Sequence, residues 1–146
     1  MTPRRADEMA RMKVDGACHC GAIRCEADIN PDFVVLCHCT DCQTFSSAPY
    51  RASVPVKAEN FRLTGAPTEY VKTADSGARR AVAFCGTCGT ALYSTAEAPE
   101  DRAVFNLRLG WVRQRAELPP QRQGFCGSAL SWAFDIREVP KVERRS

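Results

Sequence analysis

Between Ile23 and Asp28 apolar and polar side chains alternate: Ile23, Cys25 and Ala27 against Arg24, Glu26 and Asp28. A period of two is that of a strand with one buried face. Strand-like runs of this kind begin at Met12 and recur along the chain. Phe33 to Leu36, Tyr50 to Val56, Asn60 to Leu63, Ala91 to Tyr93 and Val104 to Leu109 each read as strands. Asn30-Pro31-Asp32 is a turn. Thr68 to Thr73 and Arg80 to Phe84 flank Asp75-Ser76-Gly77, which predicts a hairpin with a glycine in its turn. The last clear element runs near Leu130 to Ile136. Only Asp41 to Ser47 looks helical, and nothing repeats at a fixed period. The pattern predicts a mainly β domain over residues 11–140, with strands spaced as in sandwich-like folds. Residues 1–10 are polar and charged and are expected to form a flexible tail.

Composition narrows the class. The 146 residues are 45% hydrophobic and 25% charged, enough for one cored domain and too apolar for wholesale disorder. No apolar run is long enough to cross a membrane as a helix. The start, MTPRRADEMARMK, is too charged for a secretory signal, so a cytoplasmic location is expected. A net charge of +3 without a polybasic block counts against a nucleic-acid partner.

The unusual number is nine cysteines. In a reducing compartment disulfides rarely persist, and clustered cysteines point to metal or thiol chemistry. Seven of them fall in three clusters: Cys18-His19-Cys20, Cys37-His38-Cys39-Thr40-Asp41-Cys42, and Cys85-Gly86-Thr87-Cys88. A CxxC turn puts two sulfurs on one side of a bend, which is half of a tetrahedral zinc site. Cys18 and Cys20, two apart in an extended segment, share a face and can also chelate. Two plus two makes a closed structural Cys₄ site, although spacing alone leaves open which clusters share a metal. A redox role for Cys85/Cys88 would want a βαβ setting, and the chain shows none.

Cys37, Cys39 and Cys42 offer three thiolates, the arrangement of a catalytic zinc with one open position for water or substrate. A helical turn over 40–46 would set its first amides beside those thiolates and favour their deprotonation. The plainer alternative is a second structural site closed by Cys126 or His38. Arg51 and Arg80 are the cations that the strand layout puts nearest, and either would suit a carboxylate of a bound thiol. Cys25 reads as a small buried hydrophobe, and Cys126 as a core cysteine unless it is a ligand. His19 and His38, each between two cysteines, should point away from any metal. Trp111 and Trp132 read as packing residues.

Three stretches, taken together, resemble the GFA family, named for glutathione-dependent formaldehyde-activating enzyme; the domain also occurs in centromere protein V. They are Gly16-Ala17-Cys18-His19-Cys20-Gly21-Ala22-Ile23-Arg24, Cys37-His38-Cys39-Thr40-Asp41-Cys42-Gln43, and Phe84-Cys85-Gly86-Thr87-Cys88-Gly89-Thr90-Ala91-Leu92. The resemblance covers about residues 12–110, and more loosely Pro119 to Pro140. It implies a mainly β, tent-like fold of antiparallel sheets with little helix. It implies two zinc ions: a structural one on Cys18, Cys20, Cys85 and Cys88, and a catalytic one on Cys37, Cys39 and Cys42. It further implies a carbon–sulfur lyase that joins glutathione to formaldehyde as S-hydroxymethylglutathione. The rival reading is a non-catalytic, zinc-stabilised module that binds protein or nucleic acid. The chain departs from the family pattern twice. Leu109-Gly110-Trp111-Val112 lacks an acid, and Gln121-Arg122-Gln123 stands where a histidine is common. Both departures bear on which thiol adduct the site accepts.

Overall fold

The structure, a computed structural model, describes residues 10–145. Nearly all of the tail expected over 1–10 thus lies outside the described residues. The chain forms two sheets. In the smaller, β1 (Met12–Ala17), β2 (Arg24–Ile29) and β5 (Phe61–Thr64) pair antiparallel in the order β1-β2-β5. The larger has seven strands: β3 (Val35–Cys37), β4 (Arg51–Lys57), β6 (Thr68–Thr73), β7 (Arg79–Phe84), β8 (Ala91–Ala96), β9 (Val104–Arg108) and β10 (Arg122–Gly124). Their order is β10-β3-β4-β9-β8-β7-β6. One helix, α1 (Thr40–Ser46), leaves the end of β3.

The alternation along β2 is realised as read: Cys25, Ala27 and Ile29 are buried, while Arg24 and Glu26 are exposed. Burial pushes the Cys25 thiol up to about 12, consistent with a hydrophobic role and not a reactive one. The inner faces meet in one core that includes Val14, Ile23, Val54, Val56, Leu107 and Val112. Each such fully buried aliphatic side chain stabilises the fold by roughly 1.5–3 kcal/mol. Trp111 joins that core, and its indole Nε1 donates to the Leu92 carbonyl at 2.9 Å. Gly16 permits the closure: a Cβ there would lie 2.1 Å from the Trp111 carbonyl oxygen, where β1 bridges to Val112.

Glu69 of β6 binds the sheet's far end. Its carboxylate takes both Arg102 nitrogens at 2.8 and 3.0 Å and the Tyr93 hydroxyl at 3.1 Å. The Arg102 hydrogen bonds hold that carboxyl below the usual range.

Three features differ from the sequence reading. β10 pairs with β3 in parallel, among otherwise antiparallel strands, because the chain crosses over through 3-10 turns at Leu109–Trp111 and Arg115–Glu117 before returning. The element near Leu130–Ile136 is a 3-10 turn at Ser131–Phe134. Trp132, read as a packing residue, is 57% exposed there, because that segment lies beyond the last strand with no sheet above it.

Candidate metal centre

The turn after β1 and the turn after β7 converge. Gly21 takes φ +81° and Gly89 φ +80°, left-handed positions that glycine adopts without strain. The second turn is closed by the Gly89 amide on the Cys85 carbonyl at 2.7 Å and the Cys85 amide on the Thr90 carbonyl at 2.9 Å. The sulfurs of Cys18, Cys20, Cys85 and Cys88 come within 4.8 Å of one another and could hold a metal ion. Sγ of Cys20 lies 3.6 Å from that of Cys18 and 3.7 Å from that of Cys85. Around a metal with Zn–S bonds of about 2.3 Å, tetrahedral sulfurs stand roughly 3.7–3.8 Å apart, so this donor set fits zinc. Neighbouring donors favour the thiolate at Cys18 and Cys88, whereas at Cys20 the pull of the Ala22 amide is outweighed by the Cys18 thiol, burial and the other two cysteines, which push it up to about 11. The Ile23 amide donates to Cys18 Sγ at 3.3 Å. The Thr90 hydroxyl, 3.2 Å from Cys88 Sγ, and then the Thr90 amide bring the Cys88 thiol down to about 5. His19 is exposed and outside the group, as expected.

The other group straddles a strand end and a helix start. Cys37 ends β3, Cys39 is the N-cap of α1, and Cys42 lies in its first turn. Their sulfurs also lie within 4.8 Å of one another, and they too could hold a metal ion. The Cys42 amide donates to Cys39 Sγ at 3.3 Å, the helix-start contact anticipated from sequence. Burial pushes the Cys39 thiol up, but that amide and the neighbouring thiols outweigh it and the net shift is downward. Burial, then the neighbouring Cys37 and Cys39, pushes Cys42 up to about 12. Without a cation the three sulfurs therefore do not share three charges, the situation a metal relieves.

No fourth donor joins them among the described residues. His38 turns to the opposite face and is fully buried. Its Nε2 sits 2.7 Å from Gln123 Oε1, and its ring packs on Tyr50 and Phe134 at 5.3 and 5.1 Å. Cys126, read as a core cysteine or a closing ligand, is exposed and belongs to neither group. It sits in a 3-10 turn at Cys126–Ser128 that is pinned from outside: Gln43 Nε2 donates to the Ser128 carbonyl at 3.0 Å, and Ser128 Oγ to the His38 carbonyl at 2.9 Å.

The three cysteines open onto a cavity of about 410 Å³ over the larger sheet. Alternation builds it. Residues pointing away from the core present Arg51 and Ser53 from β4, Asn106 and Arg108 from β9, Ser94 from β8 and Arg80 from β7. Phe45 and Phe125 flank it, and Phe45 lies against the Arg51 guanidinium at 5.6 Å. Arg51 and Arg80 are thus where the strand layout put them. Arg108 was missed, although the run Asn106-Leu107-Arg108-Leu109 carries the signal. An arginine two residues from an asparagine on a strand must share its face, opposite Leu107. The departures fall elsewhere. Trp111 is in the core, and Gln123 points to His38 while its neighbours Arg122 and Gly124 line the cavity. A larger concavity, about 520 Å³, lies on the small sheet, but its charges pair with each other, as in Arg113–Asp15 at 2.7 Å and Arg62–Glu26 at 3.4 Å.

The family model for glutathione-dependent formaldehyde-activating enzyme matches residues 13–128, which contain both cysteine groups. The chain belongs to this GFA family. A crystal structure of a Rhodobacter sphaeroides protein, a structural-genomics target, shares the fold with a TM-score of 0.56 at 17% identity. The match covers 75% of this chain and 98% of that one. No curated protein gives a significant match. Within the GFA domain no described helix is long and apolar enough to cross a membrane.

Proposed function

We propose that this GFA protein is a zinc-dependent carbon–sulfur lyase acting on the adduct of a thiol and an aldehyde, of the S-hydroxymethylglutathione kind. The observation that carries the reading is the unequal completeness of the two cysteine groups. Four thiols converge in one; three converge in the other, and those three face a cavity. Cys18, Cys20, Cys85 and Cys88 would hold a structural zinc, and Cys37, Cys39 and Cys42 a zinc with one position left for a ligand. When bound there, zinc would supply a Lewis acid that favours the thiolate form of a sulfur ligand. In the synthetic direction the thiol sulfur bonds to the carbonyl carbon, the carbonyl π bond breaks, and the thiol proton ends on the oxygen. The reverse step breaks the carbon–sulfur bond and returns thiol and aldehyde. No oxidant or reductant is consumed.

The chain's own residues orient and enclose. Arg51 and Arg108 offer guanidinium donors to acidic groups of the ligand. Phe45, which lies against the Arg51 guanidinium, offers apolar surface to the ligand. Exchange NMR between free formaldehyde and S-hydroxymethylglutathione tests the reading. Exchange should quicken with zinc-loaded protein and return to the protein-free rate with Cys42→Ser. No acceleration by the unaltered protein would overturn it. The rival, a zinc-stabilised binding module, draws on exposed Phe125, Trp132 and Phe134.

A further inference from the structure

Three arginines share the cavity floor, and the described residues give none of them a carboxylate. Arg51 is 5% exposed, yet its Nε and Nη2 have no hydrogen-bond partner. Arg108 donates from Nη1 to Ser53 Oγ at 2.9 Å, while its buried Nε has none. Arg80 lines the same cavity and has no ion pair among the described residues. The cavity's acid, Asp41, is already taken by Lys72 at 2.6 Å. Buried guanidinium donors left unpaired are costly, and arginine keeps its charge at neutral pH. Burial, then the nearby Arg51, draws Arg108 down to about 10, still above neutrality. The strand register puts this charge next to the sulfurs: Cys37 pairs directly with Arg51, and Ser53 directly with Arg108.

We infer that Arg51, Arg80 and Arg108 form an oxyanion-binding floor beside the three cysteines, so that the thiol ligand of this site carries an acid group close to its sulfur and is held at both ends. The inference rests on the zinc reading above for its charge count. Three thiolates against Arg51, Arg80 and Arg108 balance, a divalent cation leaves two positive charges, and the exposed Arg122 at the cavity edge adds a third. A ligand bringing one thiolate and one carboxylate cancels two of them. Arg51 is the direct cross-strand neighbour of Cys37, with Cβ atoms about 5 Å apart, so an acid group taken by Arg51 can stand only a few bonds from a sulfur held at the cysteines. A mercaptocarboxylate meets this outright. Glutathione would meet it only through its glycyl carboxylate.

Calorimetry on the zinc-loaded full chain at fixed ionic strength tests it, with 3-mercaptopropionate, 2-mercaptoethanol, propionate, glutathione and glutathione esterified at glycine. The acid thiol should bind roughly tenfold or more tightly than the neutral one, the worth of a charge-assisted hydrogen bond. Arg108→Gln and Arg80→Gln should each cut that preference several-fold while moving 2-mercaptoethanol affinity far less, with zinc content and melting temperature followed alongside. Arg51→Gln, more deeply buried, is read only if its melting temperature holds. Loss of affinity on esterification would identify the glycyl carboxylate as the group that glutathione offers. Equal binding of the acid and neutral thiols, or arginine variants that weaken both alike, would overturn the inference and leave the arginines as counter-charges to the cysteines. If propionate and 3-mercaptopropionate bind equally in an arginine-dependent manner and 2-mercaptoethanol does not bind, the oxyanion floor stands and the thiol-adduct reading fails.

Discussion

Cys37 and Arg51 occupy directly paired positions on β3 and β4, so a buried guanidinium with two unpartnered nitrogens stands beside a thiol of the open cysteine group. The pairing follows from register. Once Val54 faces the core, Arg51 and Ser53 must face the other way, and the antiparallel ladder brings Cys37 to Arg51. A polar sheet face inside a cavity is thereby assembled from residues far apart in sequence.

The two cysteine groups should differ in what they do for stability. Cys88→Ser would open the group of four, where on the proposed reading metal-binding energy is folding energy, and should cost ~3 kcal/mol or more, a fall of roughly 10 °C in melting temperature. Cys42→Ser removes a ligand from a group already short of one and should cost much less. Calorimetric melting of both zinc-loaded variants checks this; equal losses would contradict the division.

Gln123 lies in the stretch where the resemblance leads one to expect a histidine, and its contact is with His38 and not with the cavity. Gln123→Ala should leave a buried imidazole nitrogen unpaired at a cost of ~1–3 kcal/mol. Thiol affinity should not change. Urea unfolding and thiol titration together check this, and altered thiol affinity at unchanged stability would place Gln123 in substrate selection instead.

Glu69 supplies an acid-dependent contribution. Its carboxyl is held below the ordinary value by Arg102, so its contribution is present above the unfolded value, about 4.3, and is lost as pH falls through the folded one. Glu69→Gln should therefore lower stability by ~1 kcal/mol near neutrality, the scale of a partly exposed ion pair. The difference from the unaltered protein should shrink toward zero in acid. Unfolding measured across pH would show it, and a difference that grows in acid would contradict the assignment.

Much of this architecture is legible in the chain because it is local. A CxxC turn, a pair of cysteines two apart on an extended segment, and alternation such as Cys25-Glu26-Ala27-Asp28 declare their geometry within a few residues. α1 was legible for the same reason, as was the orientation of His38. β10 was not: Arg122-Gln123-Gly124 has no apolar alternation, and its parallel partner β3 lies far away in sequence. Cys126 and Trp132 were misplaced because an apolar residue reads as core only if something covers it, and among the described residues no strand after β10 does so. Arg108 was overlooked because a charge inside an apolar strand looks like an interruption until the facing strands give it company.

The central claim is that one cysteine group is complete and the other keeps a position for a thiol. Anomalous diffraction on either side of the zinc edge, from crystals of zinc-loaded protein grown with glutathione, tests it most directly. The account predicts two peaks, one enclosed by Cys18, Cys20, Cys85 and Cys88, the other by Cys37, Cys39, Cys42 and the glutathione sulfur. A second peak completed by Cys126, His38 or any other protein side chain, or no second peak at all, would contradict it.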